Sequence, residues 1–249
     1  MAQSWSYLED YIVCKFYLNN VETWRNHIDL LMDSLVEAGF PDRDKGSARM
    51  RVQNYESLHI GKGLSHAGKQ SKDIYSAMMN RINSSESYKL LRTSLESNNI
   101  GGLIATPTNL NQYLSVSAPT GDSFYKVFWK YFRASGLTDP QVYHSCNMGK
   151  DTFWRIANDK NEGITKKTVV QLCFGLKLSY DDSLVLLDAA GYTLSDGIAF
   201  DYIVATYLQK KIYDVNDVNL TLAENNVPGS LYLLPKNRRS KEELEEAKK

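Results

Sequence analysis

The sequence predicts an all-α protein built from two small helical domains. Apolar residues recur at intervals of three and four along most of the chain, which is the spacing of one face of an α-helix. A stretch rich in Gly, Pro, Ser and Thr at 99–121 interrupts this spacing and marks a linker. A chain of 249 residues with 43% hydrophobic content is long enough for two such domains. We expect an N-terminal domain at 1–98 and a second domain at 122–235.

The N-terminal domain is predicted to begin with an antiparallel pair of helices at 6–18 and 23–38. Ser47 is placed to cap a third helix, a fourth is expected at 72–82, and a polar helix can follow at 84–98. The middle of the linker carries apolar residues and is therefore expected to dock in part on a neighbouring domain or subunit. The charge-dense tail at 236–249 is expected to be disordered.

Residues 136–178 predict two short helices that meet at a tight turn, followed by a third helix. Thr138 is placed to cap the first of them, with Pro140 early in the helix, where its missing N–H costs little. In the turn, Gly149 is expected to take a positive φ between closely crossing helices. Thr165 is expected to cap the third helix.

The second of these helices, at 150–159, has a predicted apolar stripe of Phe153, Ile156 and Ala157. The side chains off that stripe include the types that distinguish bases in the DNA major groove. They are Lys150, Thr152, Trp154, Arg155 and Asn158.

This order of helices resembles the lambda-repressor-like helix-turn-helix fold, in which five helices form a compact domain and the third enters the major groove. The sequence from 123 to 215, in particular 123–143, 186–195 and 200–215, also resembles a C-terminal module of assorted bacterial proteins. The resemblance to the lambda-repressor-like fold covers 123–192, with 124–134 as the first helix and 181–190 as the fifth. Two additional helices, at 200–210 and 215–224, are expected to cover the five-helix unit.

Basic residues are expected to hold phosphates in both domains. Lys166 and Lys167 stand at the start of a helix, where backbone N–H groups also attract anions. In the N-terminal domain, the segment 45–72 has Glu56 as its one acidic residue. Its candidate phosphate contacts are Lys45, Arg49, Arg51, Lys62 and Lys69. The alternative is that these charges are ordinary solvated surface.

The same segment resembles the small helical domain that precedes the catalytic domain in HNH-type restriction endonucleases. The residues that carry this resemblance are Lys45-Gly46-Ser47, Val52-Gln53-Asn54-Tyr55, Lys62-Gly63-Leu64-Ser65, Lys69 and Asp73-Ile74-Tyr75. The resemblance implies duplex contact or DNA sensing. The chain departs from that family because no His-Asn-His cluster follows, and His144 has no histidine or acidic partner nearby. Nuclease activity is therefore unsupported.

The sequence lacks the motifs that other enzyme chemistries require. Cys14, Cys146 and Cys173 have no metal-ligand spacing and are expected to be reduced core residues. No phosphate-binding loop or nucleophile-elbow motif occurs, and the paired carboxylates fall where helix N-termini are expected. We therefore predict no enzyme activity, no cofactor and no metal. The absence of a signal peptide and of an 18-residue apolar run predicts a soluble cytoplasmic protein without membrane partners.

Two functions remain open. The leading prediction is a sequence-specific double-stranded DNA-binding protein, a bacterial or phage transcriptional regulator. The alternative is a non-enzymatic protein-binding adaptor in a phage-defence or mobile-element system, favoured by Asp151 and Trp154 on the same helix. The overall charge balance, with 29 basic and 29 acidic residues, excludes a uniformly basic coat.

A homodimer is also predicted, because one helix-turn-helix reads only a few base pairs and two copies are usually needed. Apolar residues outside the compact domains could be buried at a two-fold interface. They are Leu103, Ile104, Leu110, Tyr113, Leu114, Val227, Leu231, Tyr232, Leu233 and Leu234. The alternative is that they pack within their own chain.

Overall fold

The computed structural model describes residues 4–61, 67–83, 93–95, 122–158, 164–229 and 232–234. The regular elements among these residues are all helices, so the predicted all-α class is confirmed. None of the helices in these ranges is long and apolar enough to cross a membrane. The predicted linker and charged tail lie outside the described residues, as does most of the predicted polar helix at 84–98.

Eleven α-helices and one 3-10 turn follow one another along the described chain. They are α1 (Tyr7–Asn19), the 3-10 turn (Trp24–Asn26), α2 (Ile28–Glu37), α3 (Lys45–Ile60), α4 (Lys69–Ile82), α5 (Phe124–Ser135), α6 (Asp139–Ser145), α7 (Lys150–Ala157), α8 (Lys166–Gly175), α9 (Tyr180–Ala189), α10 (Ala199–Gln209) and α11 (Val215–Glu224). Asp44 caps α3, because its carboxylate accepts a 2.8 Å hydrogen bond from the backbone N–H of Ser47. The predicted cap at Ser47 is therefore wrong by three residues.

The described chain divides into two compact units, each made of segments that are distant in sequence. The first unit contains the described residues up to 95 together with 197–206 and 216–229. The second contains 122–196 with 207–215 and 232–234. The larger part of α10 and nearly all of α11 thus belong with the N-terminal helices, whereas the sequence placed both helices over the C-terminal unit.

The first unit is organised around a buried carboxylate on α1. Asp10 is fully buried and accepts hydrogen bonds from the Tyr55 hydroxyl at 2.7 Å and from the Ser71 hydroxyl at 2.9 Å. The Gln70 amide donates to the same carboxylate at 3.1 Å, and the Arg51 Nε lies 3.0 Å from it. Because a buried charge is costly unless it is paired and hydrogen-bonded, these contacts tie α1 to α3 and α4.

The last turn of α4 explains why α11 belongs to the first unit. The Arg81 guanidinium forms an ion pair with the Asp217 carboxylate and donates a 2.9 Å hydrogen bond to Glu224. It also donates to the Thr221 hydroxyl at 2.6 Å. Glu224 in turn accepts a hydrogen bond from the Tyr11 hydroxyl of α1 at 3.1 Å. Asp217 is 1% exposed, so the ion pair of Arg81 with Asp217 is a buried contact rather than a surface pair.

The second unit contains the five consecutive helices α5 to α9. Phe128 of α5 is fully buried, and its ring centroid lies 6.1 Å from that of Phe153 of α7. The Tyr131 hydroxyl of α5 donates a 2.9 Å hydrogen bond to Asp182 in the first turn of α9. Ser179 caps α9 by accepting a hydrogen bond from the Asp182 N–H at 3.1 Å. The hydrogen bond from Tyr131 to Asp182 therefore joins the first of the five helices to the last.

Three residues that the sequence offered for a dimer interface are buried within the chain. Val227 and Tyr232 are each 2% exposed, and Leu233 is fully buried. They therefore support the alternative of packing within one chain. The linker residues of the same set, and Leu231, lie outside the described residues.

Candidate nucleic-acid interface

Helix α6 ends in a turn that is built by Asn147 rather than by Gly149. The N–H of Met148 donates to the Tyr143 carbonyl at 2.9 Å, and the N–H of Asn147 donates to the His144 carbonyl at 3.4 Å. This Schellman arrangement needs a left-handed residue, and Asn147 supplies it with a φ of 52°. Gly149 has a φ of −72° and is the N-cap of α7. The predicted positive φ at Gly149 is therefore wrong.

The close approach of helices in this unit occurs at Gly175, at the end of α8. A Cβ atom at this position would lie 3.0 Å from both the Cys146 Sγ and the Val142 carbonyl oxygen. Gly175 is consequently required by packing, because any side chain would press on α6. This glycine was not predicted from the sequence, although a glycine at the end of an apolar helical run can signal close packing.

Gln171 of α8 fixes the turn that precedes α7. Its side chain is 4% exposed, and its amide donates to the carbonyl oxygens of Cys146 at 3.0 Å and Asn147 at 3.2 Å. Because a buried amide must be hydrogen-bonded, the contact fixes the position of the turn relative to α8. The role of Gln171 was not predicted from the sequence either. Its signal was a polar side chain within an apolar run, since Val169 and Val170 precede it and Leu172 follows it.

Helix α7 has a buried face and an exposed face. Phe153 and Ile156 are 2% and 1% exposed, which confirms these two members of the predicted apolar stripe, while Ala157 is half-buried. The Phe153 ring centroid also lies 5.9 Å from that of Phe132, so aromatic rings hold the helix against α5. The opposite side of the helix carries exposed residues, which include charges of both signs, an indole and an amide. They are Lys150, Asp151, Trp154, Arg155 and, just after the helix, Asn158.

Two of the predicted base-contacting residues are less available than the others. Thr152 is half-buried on the side of α7. The Asn158 side-chain amide donates a 2.8 Å hydrogen bond to the Trp154 carbonyl. It thereby supplies a donor to a backbone carbonyl in the last turn of its own helix. The exposed residues with long side chains are therefore Lys150, Trp154 and Arg155.

The predicted phosphate contact at Lys166 is wrong. Lys166 is 3% exposed, because α8 is enclosed by other helices from its first turn onward. Lys167 is half-buried. Thr165 caps the helix as predicted, since its hydroxyl accepts a 3.3 Å hydrogen bond from the Thr168 N–H. At the start of this helix, only Lys167 remains as a predicted phosphate contact.

In the first unit, the predicted basic face is partly used for internal ion pairs. Arg51 pairs with buried Asp10, and its guanidinium lies over the Trp5 ring at 5.2 Å, so it is not a free phosphate contact. Lys45 forms an ion pair with Asp29 on the surface, where such pairs are weak. The described residues that remain exposed are Arg49 and Lys69. Lys62 lies outside the described residues.

The three cysteines are buried in the core, as predicted. Burial raises the pKa of the Cys146 and Cys173 thiols to about 12, and that of Cys14 well above its ordinary value. Thiols in this state are poor nucleophiles and poor metal ligands. Across the described ranges, no group of three His, Cys, Asp or Glu side chains could hold a metal ion.

No family model, no curated protein and no solved structure matches the chain. The functional assignment therefore depends on the geometry and charge of the described helices. The most distinctive arrangement is α6, the Asn147 turn and α7, which the Gln171 amide and the Phe128 ring hold in place.

Proposed function

We propose that α5 to α9 form a lambda-repressor-like helix-turn-helix and that the protein binds double-stranded DNA sequence-specifically, as a bacterial or phage transcriptional regulator. The observation that carries the proposal is the two-sided character of α7. Phe153 and Ile156 anchor the helix, and the side away from them exposes Lys150, Trp154 and Arg155. A helix presented in this way after a tight turn is the arrangement that enters the major groove in helix-turn-helix proteins.

The charges on α7 suit the two parts of a DNA contact. Arg155 is exposed and can form a bidentate hydrogen bond with guanine O6 and N7, the commonest specific contact in the major groove. Lys150 lies at the start of the helix, where it can approach a phosphate or a base edge. Arg49 and Lys69 of the first unit would add contacts to phosphates that are independent of base sequence. A function on bacterial DNA implies a cytoplasmic location.

A second candidate is a protein-binding adaptor, and one observation favours it. Asp151 is exposed on α7 beside the cationic residues, and a carboxylate on this surface would be repelled by DNA phosphates. Half-exposed Trp154 is also a residue type that often anchors protein interfaces. In this case, α7 would bind a partner protein and the chain would show no preference among DNA sequences.

The deciding experiment is selection of bound duplexes from a random DNA pool by the full-length protein, followed by titration of a selected duplex at two salt concentrations. A regulator would enrich a defined sequence and would bind it far more tightly than the unselected pool. Affinity should also fall as salt rises, with a slope set by the number of phosphate contacts. Failure to enrich any sequence would contradict the proposal and would favour the adaptor.

We further propose that the protein binds its site as a homodimer, because one helix of this length reads only a few base pairs. Two copies would read half-sites about 34 Å apart. The selected sequence should then contain two related half-sites, and light scattering should give the mass of two chains on one duplex. A selected sequence without internal symmetry, bound by one chain, would contradict the dimer.

A further inference from the structure

Trp154 is an unusual surface residue in this protein. It is 50% exposed, whereas Trp24 is 2% exposed and the rings of Trp5 and Trp129 are partly covered. Several aliphatic side chains in the described ranges are equally exposed, but Trp154 is the aromatic one among them. The aliphatic ones are Leu30, Val36, Met50, Ile60, Ile82 and Val185. Because Trp154 lies on the exposed face of the candidate recognition helix, its indole offers apolar surface that a bound ligand could cover.

The surroundings of Trp154 specify the chemistry of that ligand. Lys150 is four residues earlier on α7 and therefore shares a face with Trp154, and Arg155 follows it directly. Exposed Asp151 is three residues earlier and also lies near the indole, so the charged residues around Trp154 are two cations and one carboxylate. The two cations outnumber the carboxylate, so the surface is net positive and suits a ligand that carries anionic groups beside an apolar one. In the DNA major groove, phosphates border the groove and the 5-methyl group of thymine is the apolar group on its floor.

We propose that Trp154 reads a thymine, with the indole packed against the 5-methyl group at a base pair beneath the middle of α7. This inference rests on the proposed DNA-binding function and assigns a base to the same site. The indole N–H is a hydrogen-bond donor and can point to a neighbouring acceptor such as thymine O4. Cytosine carries an N–H donor at the equivalent position and no methyl group, so it can make neither interaction.

The size of Trp154 also selects which neighbours reach the bases. A long, rigid indole holds the helix axis away from the floor of the groove, and Lys150 and Arg155 have side chains long enough to span that gap. Thr152 is short and half-buried, and the Asn158 amide is bonded to the Trp154 carbonyl. The residues that contact bases are therefore Lys150, Trp154 and Arg155.

The test replaces thymine with uracil in the selected duplex, one position at a time. Uracil pairs with adenine in the same way and lacks only the methyl group. For the unaltered protein, we expect one sensitive thymine position in each half-site. Replacing the thymine at either position alone should weaken binding about fourfold, which is the worth of one buried methyl group. For Trp154→Ala, the thymine and uracil duplexes should bind equally. Trp154→Phe should keep part of the preference, because phenylalanine also packs against the thymine methyl.

The matched control is Val185→Ala, which truncates a 48% exposed apolar side chain on α9 of the same unit. This variant should retain the full discrimination against uracil. A second measurement is the quenching of tryptophan fluorescence by iodide, with Trp154→Phe giving the background from the three other tryptophans. DNA should protect the Trp154 emission from iodide.

The outcomes separate this inference from the proposed function. If no DNA sequence is enriched, the DNA-binding function itself fails and the inference fails with it. If a sequence is enriched but no uracil replacement weakens binding, the protein reads DNA and the role of Trp154 is wrong. Discrimination that persists in Trp154→Ala would overturn the role equally. Thermal unfolding of both Trp154 variants verifies that they are folded, as expected for a half-exposed side chain.

Discussion

The side-chain amide of Gln171 donates a 3.0 Å hydrogen bond to the backbone carbonyl oxygen of Cys146, so that α8 holds the turn before α7. Replacing Gln171 with Leu keeps the size of the side chain and leaves buried carbonyls without a donor. We expect the free energy of unfolding to fall by about 1–3 kcal/mol. Urea denaturation measures the change. Gln53→Leu, on the exposed side of α3, should change stability by less than about 0.5 kcal/mol. An equal decrease in both variants would contradict the stabilising role of the hydrogen bonds from Gln171.

Gly175 is expected to tolerate no side chain. In Gly175→Ala, the new methyl group would lie 3.0 Å from the Cys146 Sγ, and we expect stability to fall by about 1–3 kcal/mol from overpacking. Adding Cys146→Ala should restore part of that stability, because it removes the Sγ and leaves the Val142 carbonyl oxygen and the Cβ of residue 146 near the methyl. Gly68→Ala is the control, since nothing lies within 4 Å of a Cβ at that position. Unchanged stability in Gly175→Ala would show that α6 and α8 adjust without cost.

Arg155→Ala should weaken binding to the selected DNA duplex by about 1–3 kcal/mol and relax the base preference at one position. The side chain is exposed, so the melting temperature should not change. Titration of the selected duplex, with repeated selection on the variant, measures both effects. Lys130→Ala removes an exposed positive charge from α5 and serves as the matched control. Unchanged affinity in Arg155→Ala would remove α7 from the DNA interface.

The first unit should contribute phosphate contacts through Arg49 and Lys69. Reversing both charges to Glu should reduce the dependence of log affinity on log salt by about one for each phosphate that the variant no longer neutralises. Filter binding across a salt series gives the slope. Arg51→Ala should instead lower the stability of the fold, because Arg51 pairs with buried Asp10. A salt slope that survives the double reversal would assign this face to a protein partner.

Glu9 should make the first unit sensitive to acid. Burial by itself would raise the pKa of this carboxyl, but hydrogen bonds from Arg43 and Ser6 outweigh burial and lower it below the ordinary value of 4.5. A folded-state pKa below the unfolded one gives stability that is present in full above about pH 4.5 and is lost as the pH falls through the folded-state pKa.

The free-energy difference between the unaltered protein and Glu9→Gln should therefore shrink as the pH is lowered below about 4.5. Urea denaturation at a series of pH values measures it. Glu22→Gln, at an exposed position, is the control and should show little difference at any pH. A difference for Glu9→Gln that stays constant into acid would contradict the lowered pKa.

The features that were predicted correctly from the sequence are those that local residue patterns determine. The stripe of Phe153 and Ile156 fixed the buried face of α7, and Thr165 was identified as the cap of α8. Both follow from the spacing of residues within one helix or next to it. The left-handed position in the turn was assigned to Gly149 rather than Asn147, because both residue types adopt positive φ and the choice depends on where α6 ends.

Contacts between distant segments could not be predicted. Lys166 is a charged residue at a helix start, and its burial depends on how closely other helices surround α8. The ion pair of Arg81 with Asp217 joins residues 136 positions apart, and nothing in either local sequence indicates the other. The same limit explains why α11 was assigned to the wrong unit.

The discontinuity of the first unit bears on the order in which the chain can fold as it is synthesised. A ribosome releases the chain from its N-terminus, so α1 to α4 emerge before Asp217 and Glu224, the partners of Arg81, exist. By the time α11 is complete, all of 124–189 has already been translated. The contacts among α5 to α9 are short in sequence separation and can form early. A nascent chain halted before residue 217 would therefore contain α5 to α9 but lack 232–234 of the second unit, and its Arg81 would still lack Asp217 and Glu224.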